Sequence, residues 1–200
     1  MLSASQIEEA VERSLRYWFP TYLAEMQRVL GLRVGVFPTP QNYTSRNSFD
    51  AVAGELTPKI VVISTGIDGE PLKNASSYRA MWRVGIGVAV GAKTEEVCNM
   101  HLKAYATAIR GIMVHKPQTL ADNGLHGVNE VLWVGESYDD IDIPDQHRLY
   151  KGGSLWFNID VNAVIARRGG PPVPDLAPGD LGEVATVDVD VINVGWQEEV

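Results

Sequence analysis

Gly87 to Thr94 reads GVAVGAKT. A phosphate-binding loop has the form G-x-x-x-x-G-K-[ST], follows a strand and opens a helix. This stretch fits except at Ala92, which stands where the second glycine belongs. Such a loop works because the chain leaves the strand before the first glycine, so that backbone N–H groups wrap the phosphates. Here Val88 and Val90 continue the alternation of Ile86, which puts Gly87 inside a strand. Gly91, Ala92 and Lys93 are then left as a tight turn, too short to cradle a triphosphate. The sequence favours strand, turn and helix over a nucleotide site. The nucleotide alternative stays open through Lys93.

Other residues capable of chemistry give weaker patterns. Asp139, Asp140, Asp142 and Asp145 crowd the stretch YDDIDIPD, and carboxylates at that density can bind calcium or magnesium. The D-x-[DN]-x-[DN]-G pattern is missing, so a solvated acidic turn is the expectation. His101, His115, His126 and His147 form no H-E-x-x-H pair and have no cysteine at metal spacing. Cys98 falls in the first turns of a helix, where the dipole lowers a thiol pKa, but also on its apolar stripe. A buried, inert thiol is expected. No G-x-S-x-G elbow is present. No catalytic, metal or cofactor site is expected.

The bulk composition narrows the class. The chain has 200 residues, 45% hydrophobic and 21% charged, which suits one packed domain with an extension. Its formal charge of −8 and its scattered basic residues argue against a nucleic-acid binder. An acidic protein can still handle DNA by repelling it, as the wall of a conduit does. One cysteine excludes an intrachain disulfide and fits a reducing compartment. MLSASQIEEAVERS has no basic region followed by an apolar core, so no secretory signal is expected. No apolar run approaches the roughly 20 residues that span a bilayer. The expectation is a soluble protein made in a cytoplasm.

The elements follow from periodicity. Ser5 with Glu8 reads as a capping box for a first helix. Ile7, Val11, Leu15, Trp18, Tyr22, Met26 and Val29 share one of its faces, with a kink or break near Pro20 and an end at Gly31. RVGVF (33–37) reads as a short strand, and 37–57 as a long loop. KIVVISTG (59–66) is a strand. From Tyr78 to Val90, Trp82, Val84, Ile86, Val88 and Val90 alternate with Arg83, Gly85, Gly87 and Ala89. The small-residue face admits a helix or another backbone at close range. Thr94 caps a second helix with the stripe Cys98, Leu102, Tyr105, Ile109 and Ile112, ended by Pro117. QTLADNGLHG is a loop. VNEVLWVGESY is a strand that is apolar on both faces in part, and DDIDIPDQHR is a turn. A last long strand, about 150–166, puts Leu155, Phe157, Ile159, Val161 and Ile165 on one face and Trp156, Asn158, Asp160 and Asn162 on the other. One dry and one wet face mark an antiparallel sheet covered on one side. The class is α+β.

Residues 169–185, GGPPVPDLAPGDLGEVA, form a Pro/Gly-rich linker after a domain of residues 1–168. Residues 186–200 form a C-terminal arm strand in which Val187, Val189 and Val191 alternate with Asp188 and Asp190, followed by Trp196. A lone strand after such a linker has no core and needs a sheet edge, its own or a neighbour's.

The order helix, strand, strand, helix, strand, strand, with RAMWRVGIGVAVGAKTEEVCNMHLKAYATAIRGIM and VLWVGESYDDI, resembles the tail terminator (tail-completion) proteins of long-tailed bacteriophages, particularly those of actinobacteria. The resemblance covers about residues 7–168. It implies a mostly antiparallel sheet with helices packed on one face, and a virion protein rather than an enzyme. It implies a homo-hexameric ring that ends tail-tube growth, meets the tail tube protein and the head-side connector, and lets genomic DNA pass through its lumen. No catalytic residue is carried over, and no membrane is involved. Asp139, Asp140, Asp142 and Asp145 are candidates for lining the lumen or meeting the tube. Val187, Val189, Val191 and Trp196 are candidates for clasping a neighbour or the tube, and loop 37–57 for an axial contact. A stopper or head-completion protein of the same neck is the alternative.

Overall fold

A computed structural model describes residues 2–44, 58–73, 77–141 and 148–164. The chain divides into two units, 1–165 and 166–200, and all described residues belong to the first. The linker, the arm residues Val187, Val189, Val191 and Trp196, the acidic residues Asp142 and Asp145, and Ile165 lie outside them, as does most of loop 37–57.

Helix α1 (Ala4–Val29) begins one capping box earlier than Ser5–Glu8. The Ser3 hydroxyl accepts from the Gln6 N–H, and the Gln6 side chain accepts from the Ser3 N–H. Two pairs of the right type overlap here, and the outer one forms the cap. Glu8 is thereby freed for another task, described below. Pro20 does not end the helix. It lies on the exposed face, where the ring meets solvent rather than the core. The fully buried stripe is Ile7, Val11, Leu15, Phe19 and Leu23, while Trp18, Tyr22 and Met26 flank the core half-buried and Val29 is exposed. Gly31, at φ +65°, closes the helix. Its N–H reaches the Arg28 carbonyl and the Leu32 N–H reaches the Gln27 carbonyl, the two bonds of a Schellman motif.

RVGVF is a turn and not a strand. Gln27 decides this: its buried side chain accepts from the Phe37 N–H at 3.4 Å, and Phe37 enters the core. Strand β1 comes later, at Asn42–Thr44, and pairs parallel with β2 (Lys59–Ile67). The remaining strands are β3 (Leu72–Lys73), β4 (Ser77–Ala92), β5 (Val128–Ile141) and β6 (Leu149–Val164). Their pairings are all antiparallel, in the order β1-β2-β4-β6-β5, with β3 on β4. The protein is therefore α+β, with a mixed but mostly antiparallel sheet.

The alternation in β4 is realised residue by residue. Trp82, Val84, Ile86, Val88 and Val90 are all buried beneath the helices, beside Leu155, Phe157, Ile159 and Val161 of β6. Each such aliphatic side chain contributes about 1.5–3 kcal/mol by leaving water. On the other face, Gly85 meets neither a helix nor a backbone but the Trp156 indole of its partner strand. A Cβ at Gly85 would lie 2.7 Å from that ring.

Thr94 caps helix α2 (Glu95–His115), whose stripe Cys98, Leu102, Tyr105, Ile109 and Ile112 is fully buried. Helices α1 and α2 touch closely at Gly111, whose carbonyl accepts from the Tyr22 hydroxyl at 3.2 Å. QTLADNGLHG contains a short helix, α3 (Gln118–Asp122), rather than only loop. The Thr119 hydroxyl bonds the Ser14 hydroxyl of α1 and the Lys116 carbonyl, which anchors that turn to the core.

Candidate functional site

The near-match to a phosphate loop is built as strand, turn and helix. Gly87 lies mid-strand, opposite Val61 on one side and Ser154 on the other. Gly91 and Ala92, expected in the turn, are ladder residues paired with Tyr150 and Leu149. Only Lys93 and Thr94 separate β4 from α2. The Thr94 hydroxyl is engaged in capping, accepting from the Val97 N–H, and Glu95 and Glu96 fill the positive end of the helix.

The sequence puts Asp139 and Asp140 in an acidic turn. Asp139 and Asp140 are strand residues of β5, paired with Gly152 and Lys151 of β6. The cause is a partner distant in sequence. Lys151 Nζ lies 2.9 Å from Asp140 and 3.1 Å from Glu95, so it binds the end of β5 to the start of α2. These hydrogen bonds raise the pKa of the Lys151 ammonium. Among the described residues, no three His, Cys, Asp or Glu groups stand close enough to hold a metal.

The Cys98 thiol is buried and points at the carbonyls of Val90 and Leu149. Burial raises its pKa, against the pull of Lys151. His101 is half-buried between the rings of Phe37 and Tyr105, and desolvation lowers its pKa. His115 and His126 are exposed.

The feature most open to a partner is the outer edge of the sheet, which sequence reasoning did not locate. Among the described residues, β5 has a strand on one side only. Its middle carries large apolar side chains in water: Leu132 is 41% exposed, Trp133 45%, Val134 50% and Tyr138 42%. A bulge between Trp133 and Gly135 leaves Val134 without a register partner, while Trp133 stays opposite Phe157. Beside this edge an open groove of about 500 Å³ runs between β5 and α2. Val114, Val131, Leu132 and Trp133 give it an apolar wall, and Arg110 and Glu130 stand at its rim.

Arg110 organises that wall. Its guanidinium carbon sits 4.8 Å from the centre of the Trp133 ring, and Nη1 bonds Glu136 at 2.8 Å. The other Glu136 oxygen accepts from the Tyr138 hydroxyl at 2.8 Å. Burial, with Glu136 beside it, pushes the Tyr138 hydroxyl up to about 12. Among the described residues, the site offers an unpaired backbone edge next to an apolar trough, the chemistry of strand addition. The signal in the sequence was the apolar character of LWV on both faces of its strand; the pattern could not say that the strand lies at an edge.

The opposite edge is treated differently. Glu8 of α1 accepts from the Ser64 N–H of β2 at 2.7 Å, and β1 covers Lys59 to Val61. Among the described residues, no helix is long and apolar enough to cross a membrane. No protein-family model matches the chain, and no curated protein matches it.

Proposed function

We propose that this chain is a virion structural protein of the tail terminator (tail-completion) type. In this reading it caps the tail tube of a long-tailed bacteriophage as a hexameric ring and ends tube growth. It then joins the tail to the head-side connector while DNA passes through the lumen. The observation that carries the reading is the order α1, β2, β4, α2, β5, β6, with both long helices under one mostly antiparallel sheet. That is the element order on which the resemblance rests. The formal charge of −8 per subunit supports it, since six copies around a channel repel the DNA that must slide through. Asp139, exposed at the end of β5, stands as a lumen or tube contact.

The test is particle mass and shape in solution, by light scattering and negative-stain imaging, with and without purified tail tubes. Six-fold rings, or caps on tube ends, are the expected result. A monomer that ignores tube ends would overturn the reading.

A further inference from the structure

We infer that the open edge of β5 is the acceptor for the C-terminal strand of a second copy of this chain, residues 186–194, added beside Val131–Tyr138 with its valines in the α2–β5 groove. The inference shares with the function proposed above only the premise that copies assemble.

Three observations carry it. First, the edge is exposed where a guarded edge is charged. Exposed strand edges in soluble proteins are defended by charges and bulges. On β5 a bulge breaks the register between Trp133 and Gly135, but the charges Glu130 and Asp139 stand outside that stretch. Within Val131–Tyr138 the one charged residue is Glu136, and Arg110 and Tyr138 already bind it. Second, the trough matches an alternating strand. Side chains of an added strand point alternately to the two faces of the sheet. One row would descend between Val114 and Trp133, into a groove of about 500 Å³, while the other stays in water. TVDVDVINV supplies such rows, Val187, Val189 and Val191 against Asp188 and Asp190. Third, the chain has the length to reach. β6 ends at Val164, and the 21 residues from 165 to 185 span up to about 65 Å when extended at about 3.1 Å each. That exceeds the width of a domain this size, so a neighbour's edge lies within range.

The experiment places a benzophenone amino acid at Val134, an exposed β5 position, in the full-length protein. Equal amounts of isotopically heavy and light chains are mixed, allowed to assemble and irradiated, and the cross-linked peptides are identified by mass. The expected product joins the segment around residue 134 of one copy to 186–200 of another, seen as heavy–light pairs. A second variant, Val189→Pro, removes an N–H and should reduce that product at least tenfold without altering the far-ultraviolet spectrum. Cross-links to another segment, pairing only within one chain, or no cross-link would each overturn the inference. Rings on tube ends without the cross-link would remove this inference and leave the proposed function. The cross-link without tube capping would do the reverse.

Discussion

Two buried polar contacts make predictions at the scale of single residues. Asp160 is 2% exposed and takes both forks of Arg79, at 2.6–2.9 Å, together with the Asn129 amide at 3.1 Å. The Arg79 hydrogen bonds lower its pKa against the opposing effect of burial. The stability it contributes is complete above the ordinary aspartate pKa of about 3.9 and is lost as pH falls through the lowered value. Asp160→Asn should therefore flatten the acid limb of stability, measured as urea midpoints between about pH 6 and pH 2. His101 acts in the same direction from a different cause. Its lowered pKa makes the unfolded chain the better proton acceptor, so stability falls as pH drops below about 6.5. The Tyr105 hydroxyl donates to the Pro38 carbonyl at 2.5 Å. Tyr105→Phe should cost about 1 kcal/mol, with faster amide exchange in β1, the strand which that segment leads into. None of these partners was legible in the sequence, because each lies on an element far away along the chain.

At the scale of elements, legibility followed the range of the interaction that decides each one. β4 could be read because period-two alternation of β-branched residues is local, and so could α2, with its cap and stripe. The strand end at Asp139–Asp140 could not, because Lys151, eleven residues on, holds it in the ladder. α3 could not, because a helix of five residues has no period to show and is fixed by Ser14. The candidate site suffered the same limit: its apolar residues were visible, and its position at an edge was a property of the whole sheet. The helix crossing tests this view. A Cβ at Gly111 would meet the Tyr22 ring at 2.6 Å. Gly111→Val should destabilise by about 1–3 kcal/mol through overpacking, read as a lower denaturant midpoint. Lys93→Ala should leave both stability and any nucleotide affinity unchanged, because Lys93 is an exposed turn residue. A nucleotide affinity abolished by that change would restore the phosphate-loop reading.

At the scale of the molecule, removing residues 169–200 should separate folding from assembly. Residues 1–165 form one compact unit, so the truncated chain should keep its circular dichroism spectrum and its cooperative unfolding. Sedimentation and imaging should show that it no longer assembles. An unchanged ring with normal tail joining would remove the arm from the interface.

The bond from Glu8 to the Ser64 N–H bears on the arithmetic of such an assembly. Under the inference drawn above, with Glu8 and β1 occupying the described margin of β2, each copy takes one strand at its β5 berth and gives one strand. Objects with a single giving hand and a single taking hand join only as closed circles or as unending files. Branches and clumps are not available to them. Unstoppering the far margin, with Glu8→Ala, would add a second berth, and orderly files would then give way to tangles.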